Sequence, residues 1–349
     1  MKSLKEYSLN LPESEYHAYP AWSHSLISRY AREGFSAIST IHEPLKPTPA
    51  MEFGSLFDSI LTRGKETLNE YVVDDTSIAP AEKSVFDWLL ANGSKKPFEQ
   101  INEAELNAAI EASPTFASKY KKPETRIQKL QEVAQYYEVR RSGKKIVSTD
   151  DWKDAIEMAR AFRSNDYLNK LFGIKNTGDV EYIYQAQFVV EVKDNNGNPV
   201  KVKIMPDLLV VKHKEKTIQP VDLKTSAQPA YDFKESFLKF RYDLEASVYT
   251  DVLQIVINGD EDYKDYTILP YLFTDISRTD KVPVTYIYDP HDESQADGFC
   301  YSISGKTYKH KHWTTLLGEM ITYEEENAVV PEYVKLDKPN DIMSFINRD

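Results

Sequence analysis

Two apolar, β-rich runs, each carrying one acidic residue, constrain this chain more than anything else in it. Val202-Lys203-Ile204-Met205-Pro206-Asp207-Leu208-Leu209-Val210-Val211 reads as a short strand, as does Ile218-Gln219-Pro220-Val221-Asp222-Leu223-Lys224. The polar segment between them, Lys212 to Thr217, reads as a hairpin turn. Antiparallel strands joined this way set Asp207 and Asp222 side by side, and Lys224, two residues on, shares a face with Asp222. Asp222 stands between Val221 and Leu223, in a strand that otherwise wants burial, and a lone buried carboxylate is costly unless paired or metal-bound. Two carboxylates and an amine at strand ends are what hard-metal phosphodiester hydrolysis requires. The carboxylates hold Mg²⁺ or Mn²⁺, the ion polarises the phosphate and generates hydroxide, and the lysine orients the water or offsets charge. The bland alternative is a solvated sheet edge, where Asp and Lys are also common.

A third acid comes from the preceding segment. Val180 to Val192 is aromatic and β-branched, a strand by composition. It runs into Asp194-Asn195-Asn196-Gly197-Asn198, a strong turn signal, and returns through Val200 to Asp207. If that hairpin pairs over its full length, Glu181 reaches the same end as Asp207 and becomes a third candidate ligand. Its alternative is an exposed strand-end glutamate.

The order Glu181, Pro206-Asp207, Asp222-Leu223-Lys224-Thr225 resembles the PD-(D/E)XK nuclease superfamily, and within it the RecE-type exodeoxyribonuclease VIII group, relatives of the lambda-type exonucleases. Lys224-Thr225-Ser226 resembles that group's lysine–threonine continuation, and Glu245 to Tyr249 its Q-x-x-x-Y helix. Ser23-His24-Ser25-Leu26 resembles its S-x-S-x-L opening, and Gly54 to Asp58 its G-x-x-x-H helix. The likeness spans about residues 20 to 290. It implies an α/β fold, with a mixed central sheet flanked by helices (a restriction-endonuclease-like core) and an α-helical insertion. It implies Mg²⁺, with Mn²⁺ as substitute, held by Glu181, Asp207, Asp222 and the Leu223 backbone carbonyl, with Lys224 positioning or activating the attacking water. The products would be a 5′-phosphate and a 3′-hydroxyl. By resemblance, too, Thr225 and Tyr249 join the DNA-facing candidates, and the activity becomes 5′-to-3′ resection of duplex DNA ends for recombination. A single-strand annealing partner, a homo-oligomeric ring, and the cytoplasm of a bacterial or phage-infected cell follow from the same source. Two positions depart from the pattern. Glu245 stands where the group has glutamine, and the group's histidine falls on Phe57 or, counting four from Gly54, on Asp58, which would then be the substitute ligand.

Composition bounds the rest. The net charge of −12 opposes a uniform field for binding phosphate, so any DNA contact must be local. Residues 119–145 fit, with nine Lys or Arg (Lys119, Lys121, Lys122, Arg126, Lys129, Arg140, Arg141, Lys144, Lys145) against three Glu, a local +6. Tyr120, Tyr136 and Tyr137 are interleaved where they could stack on bases; the alternative is a solvated helical face. One cysteine, Cys300, excludes an internal disulfide and a four-cysteine iron–sulfur cluster, and argues for a reducing cytosol. His310-Lys311-His312 lacks acidic or cysteine neighbours in sequence, which argues against zinc. No run approaches the roughly 20 apolar residues of a membrane span, no dense D-x-D-x-D loop marks a Ca²⁺ site, and no phosphate-binding glycine loop is present.

Four regions result. Residues 1–74 are the N-terminal helical part of the core, and 75–172 a helical insertion with helices near 81–90, 102–112, 125–137 and 150–172. Residues 173–290 carry the catalytic sheet, a helix at about 232–257 with Tyr242, Glu245 and Tyr249 on one stripe, and outer strands at 266–273 and 283–288. Residues 291–349 are an extension with a loop or short hairpin, a helix near 313–323 and a tail. The expectation is a metal-dependent deoxyribonuclease. Its rivals are an endonuclease or helicase-associated nuclease with the same site, and a non-catalytic DNA-binding or assembly relative.

Overall fold

The computed structural model describes residues 3–43, 46–193, 197–295 and 298–325. The expected turn at Asp194 to Asn198 lies partly outside these residues, and the tail with Pro331 and Pro339 wholly so. The chain divides into two units, Met1–Thr48 with Ala161–Asp349, and Pro49–Arg160. The second unit, Pro49–Arg160, starts ahead of the segment expected as a helical insertion, 75–172, and ends within it. The helix Pro49–Arg63 goes with it, taking along Phe57 and Asp58.

In chain order the strands are β1 (Trp22–Ser23), β2 (Tyr71–Val73), β3 (Lys145–Val147), β4 (Val180–Tyr184), β5 (Phe188–Lys193), β6 (Pro199–Ile204), β7 (Leu208–Lys212), β8 (Thr217–Ser226), β9 (Thr267–Ile268), β10 (Tyr271–Ser277), β11 (Pro283–Tyr288), β12 (Cys300–Ile303) and β13 (Lys306–Lys309). The fold is mixed α/β. Its main sheet has the order β11-β10-β8-β7-β4, with β9 also on β8. Here β8 and β10 run parallel, while the β10–β11, β7–β8 and β4–β7 pairs are antiparallel. A second sheet has the order β1-β6-β5, and β12 with β13 forms a hairpin. In the second unit β2 and β3 form a parallel pair.

The single long hairpin expected from Val180 to Asp207 is folded across its middle. Gln185 adopts a left-handed backbone (φ 50°), which ends β4 before β5 begins. The opposite strand breaks at the same level, because Pro206 has no N–H to give a ladder and Met205-Pro206-Asp207 separates β6 from β7. The Gln185 N–H donates to the Asp207 carbonyl at 3.1 Å, tying the two breaks together. One hairpin thus becomes two short pairs in two sheets. Pro270 likewise splits the expected 266–273 strand into β9 and β10.

Three expected helices are also divided. The break at Val133 gives Pro123–Glu132 and Ala134–Arg141. At Asn165 the side chain caps Asp166–Leu171 by accepting from the Leu168 N–H at 3.1 Å, after Thr149–Ser164 has ended. At Arg241 a left-handed residue (φ 58°, ψ 49°) separates Phe233–Phe240 from Tyr242–Asn258. That conformation costs a non-glycine residue about 1–2 kcal/mol. The Arg241 guanidinium offsets it by donating to both Asp243 oxygens at 2.9 Å, both side chains being buried.

The helix Tyr242–Asn258 is held by its apolar stripe. Leu244, Val248, Val252, Leu253 and Ile257 are buried against sheet residues that include Ile183, Val202, Leu209 and Ile218. Each such side chain contributes about 1.5–3 kcal/mol when fully buried. The stripe fixes the helix about its axis, and so fixes where Glu245 points. Among the described residues, no helix is long and apolar enough to cross a membrane.

The second unit has its own core, Ala81, Val85, Phe86, Leu89, Phe98, Ala109, Ile110, Phe116, Leu130, Tyr136 and Tyr137. Tyr136 and Tyr137 are therefore packing residues, buried beside Phe86, and not free to stack on bases.

Candidate functional site

The β7–β8 ladder pairs Leu208 with Val221, so one step further along the same register brings Asp207 opposite Asp222. Asp207 accepts a hydrogen bond from the Leu223 N–H at 2.8 Å through Oδ2, continuing the ladder with a side chain. Lys224 projects on the Asp222 face. On the other side of β8, the parallel register sets Phe273 beside Asp222 and Asp275 beside Lys224. The helix Tyr242–Asn258 delivers Glu245. The Lys224 ammonium then lies 2.9 Å from Glu245 Oε2, 2.9 Å from Asp222 Oδ2 and 4.5 Å from the Tyr242 ring centre. The approach to Glu245 is a hydrogen bond. The equally short approach to Asp222 Oδ2 is an ion pair, whose attraction depends on distance rather than angle.

Burial and like charge set the protonation of this group. Burial first, then the Asp222 carboxylate, push Asp207 up to about 8, against the opposing pull of Lys224 and the Leu223 N–H. Burial and then Glu245 push Asp222 up to about 7. Burial acts to lower Lys224, but the Asp222 and Glu245 carboxylates outweigh it and hold the amine well above its ordinary value. Lys224 is thus an ammonium at neutral pH. It can orient a water or offset charge, but it is not free to accept a proton.

Three carboxylates, Asp207, Asp222 and Glu245, face one ammonium, an excess of two negative charges when all are ionised. Two carboxylates raised this far mark a place where a further cation would be strongly favoured. Among the described residues, no set of three or more His, Cys, Asp or Glu side chains is arranged to hold a metal ion. Lys224 draws equally on Glu245 and on one oxygen of Asp222, so an ion would rely on Asp207 and on the acceptor positions Asp222 has beyond the one facing Lys224. Mg²⁺ commonly binds through one or two carboxylates and keeps several waters. The donor set fits a hydrated Mg²⁺ or Mn²⁺ ion.

Glu181 is not part of this group. The β4–β7 register pairs it with Val211, four residues along from Asp207, or about 13 Å at 3.3–3.4 Å per residue. There it accepts a hydrogen bond from Ser3 and lies 3.8 Å from His213 Nε2. The folded hairpin is the cause, since β4 pairs with β7 only beyond the break at Gln185. Asp58 lies half-buried in the second unit, and Phe57 is wholly buried there. Thr225 follows Lys224 on β8 and faces the opposite side of the sheet. Tyr249 packs edge-on to Tyr271, with ring centres 6.2 Å apart, one helical turn from Glu245.

Most of the basic candidates have internal partners. Arg126 donates to the Tyr120 and Ala117 carbonyls at 2.6 and 3.0 Å, Arg140 pairs with Asp74 at 3.2 Å, Arg141 with Glu138 at 2.5 Å, and Lys144 donates to the Leu68 carbonyl at 2.7 Å. Lys121 and Lys122 remain exposed. His312 does have an acidic neighbour in space, Asp251 at 3.8 Å, with His291 bonded to the same carboxylate at 2.7 Å. His310 turns instead toward Tyr301, so His310 and His312 do not converge.

Three residues near the site had no signal of their own in sequence. Asp275 is buried, accepts from Ser226 Oγ at 2.9 Å, and is pushed up to about 6 by burial. Tyr271, wholly buried, opens β10. His24 sets its ring edge-on to Tyr249 at 6.2 Å, and is pushed down to about 3 by burial and then by Lys224, so it is neutral at neutral pH. The period-two run Tyr271, Phe273, Asp275 would have flagged the first two had β10 been placed beside β8. No family model matches the chain, and no curated protein matches it.

Proposed function

We propose that this chain is a metal-dependent deoxyribonuclease built on a restriction-endonuclease-like core. The observation that carries the reading is Lys224, held between Asp222 and Glu245 at 2.9 Å from each, beside the adjacent carboxylate of Asp207. A protein that only bound DNA would have no use for an ammonium placed among three carboxylates at the end of a sheet.

In this reading Asp207 and Asp222 hold Mg²⁺ or Mn²⁺, with the Leu223 carbonyl as a further oxygen ligand. The ion, when bound, supplies Lewis-acid polarisation of a phosphate and lowers the pKa of water. Lys224, kept charged by its two neighbours, offsets the negative charge that develops on phosphorus oxygens, the kind of fixed electrostatic help that dominates phosphoryl chemistry. Glu245 fixes the rotamer of Lys224 so that the ammonium is already aimed. The substrate we assign is duplex DNA, cut from its ends in the 5′-to-3′ direction, and the finer assignments of a ring assembly and an annealing partner rest on the resemblance alone.

The test is incubation of purified protein with end-labelled linear duplex and closed circular DNA, with Mg²⁺, Mn²⁺ or EDTA, beside Lys224→Ala. Metal-dependent loss of linear DNA alone, absent in the variant, supports the exonuclease, and the labelled end gives its polarity. Cutting of the circle replaces it with an endonuclease on the same site. No cleavage under any metal removes the nuclease reading in favour of a non-catalytic DNA-binding relative.

A further inference from the structure

One exposed hairpin stands apart from the cores already described. β12 and β13 are joined by Ser304-Gly305, both left-handed (φ 51° and 78°), as a type I′ connection requires. The ladder pairs Tyr301 with Tyr308 and Ile303 with Lys306, and the His310 N–H donates to the Phe299 carbonyl at 2.8 Å. With a period of two, Phe299, Tyr301, Ile303, Lys306, Tyr308 and His310 share one face. Phe299 anchors that face in the fold, its ring centre 5.4 Å from that of Phe237 and 5.8 Å from that of Tyr288. Tyr301 stacks on Phe299 at 5.3 Å, and Tyr308 on Tyr301 at 5.3 Å with ring planes 16° apart. Beyond them β13 is exposed along its length, Tyr308 at 43% and Ile303 at 48%.

The charge of this segment is opposite to that of the chain. From Gly298 to Gly318 there are three lysines (Lys306, Lys309, Lys311) and no Asp or Glu, against a net charge of −12 overall. Lys311 is paired with Glu319 at 2.5 Å, so the charge at the tip rests with exposed Lys306. At the base of the hairpin an open cleft of about 230 Å³ is lined by Lys309, His310, Lys311, His312 and Thr315. Rings and lysines on one projecting surface match a single nucleic-acid strand. Its unpaired bases present π faces that a duplex keeps stacked, and its backbone presents phosphates. The rings also lead to the candidate site. Phe237 lies 6.4 Å from Tyr242, whose ring centre is 4.5 Å from the Lys224 ammonium.

We propose that the β12–β13 hairpin is a docking platform for single-stranded DNA. A base stacks on Tyr308, Ile303 extends the apolar contact, and Lys306 meets the backbone phosphate. That the strand is the one passing to or from the carboxylates rests on the nuclease reading, whereas the binding does not.

The test is fluorescence anisotropy of a fluorescein-labelled oligothymidylate with the full chain, in EDTA so that cleavage does not enter the readout. Tyr308→Ala should weaken binding by about 10-fold, on the scale of losing one base–aromatic stack, while Tyr308→Phe keeps both the ring and the affinity. Lys306→Gln leaves every ring in place, so it does not depend on how well the hairpin tolerates Tyr308→Ala. It should lower the slope of log K against log salt by about 0.7, the share of one single-strand phosphate. Wild-type affinity in Tyr308→Ala, an equal loss in Tyr308→Phe, or an unchanged slope in Lys306→Gln overturns the platform. Sedimentation equilibrium tests the rival occupant: self-association abolished by Tyr308→Ala, with oligothymidylate affinity intact, assigns the face to a second copy of the chain and overturns the proposal. A wild type that binds the oligonucleotide with these variant effects but never cleaves DNA fails the nuclease reading and keeps the platform. A wild type that cleaves, with Tyr308→Ala binding as tightly, fails the platform and keeps the nuclease reading.

Discussion

Two lysines of the first unit, Lys203 buried on β6 and Lys224 half-buried on β8, show how the same side chain can be structural or chemical. Lys203, on β6, donates to the carbonyls of Tyr16, His17 and Tyr19 at 2.8, 2.9 and 2.9 Å, stapling the end of the helix Glu13–Ala18 to the sheet. Its three N–H groups meet three neutral acceptors, and burial lowers its pKa. Lys224, on β8, meets two carboxylates with a third beside them, and is raised. The first arrangement is saturated and asks for nothing more. The second carries more negative charge than one ammonium can offset, and that surplus calls for another cation.

The largest effects should separate the two lysines cleanly. Lys224→Ala should reduce cleavage by at least about 10³-fold, on the scale of losing a preorganised charge at a reaction centre. Lys203→Met should strip one bond from each of the three carbonyls, of which Tyr16 keeps the Tyr19 N–H and Tyr19 the Ala21 N–H, and should cost about 1–3 kcal/mol of stability, the scale of one orphaned buried group. Its cleavage rate per folded molecule should stay near wild type. Urea denaturation and initial rates on both variants check this together. A stable but inactive Lys203→Met would erase the distinction.

A smaller effect follows from pH. Asp207 and Asp222 sit near 8 and 7 in the folded protein, above the ordinary carboxylate value near 3.8. Between those limits the folded chain binds more protons than the unfolded one. Stability without metal is therefore fully present below about pH 4 and lost as pH rises toward 8, by up to about 1.4 kcal/mol per pH unit for each carboxylate. Saturating Mg²⁺ should flatten that fall, because the ion binds the ionised form, and Asp222→Asn should shrink it. Denaturation in EDTA at pH 5, 6, 7 and 8 measures the slope, and stability that climbs across this window would contradict the charge surplus.

How much of this could be read in the sequence depended on how local each signal was. Asp207, Asp222 and Lys224 were legible because a short polar turn fixes the antiparallel register, and the register fixes which side chains meet. Glu245 was legible only through the resemblance to the Q-x-x-x-Y helix, since a stripe of Tyr242, Glu245 and Tyr249 reads equally well as packing. Glu181 was misplaced because a β-branched run looks the same whether or not it bends. The left-handed turn at Gln185 leaves no mark in composition, and Pro206 reads equally well as part of a motif or as a break. Tyr136 and Tyr137 were misread for a related reason. Basic neighbours made them look like a surface, while their own large apolar rings were filling the core around Phe86. Tyr271 and His24 depended on packing between segments far apart in the chain, which no local pattern reports.

The smallest effect carries the lysine comparison into the second unit. Arg126 resembles Lys203, since its guanidinium donates to two backbone carbonyls and is occupied. Lys121 and Lys122 are exposed, so their charge is available to a polyanion. If saturation decides which cations are structural, Lys121→Gln with Lys122→Gln should lower the slope of log K against log salt for DNA binding by about 1.8, at 0.9 for each phosphate no longer neutralised. Arg126→Gln should leave that slope unchanged and lower the melting temperature instead. Fluorescence anisotropy over a salt series, with thermal melts of the same samples, measures both. An unchanged slope in the double lysine variant would return residues 119–145 to a solvated helical face and place any DNA-binding surface elsewhere on the chain.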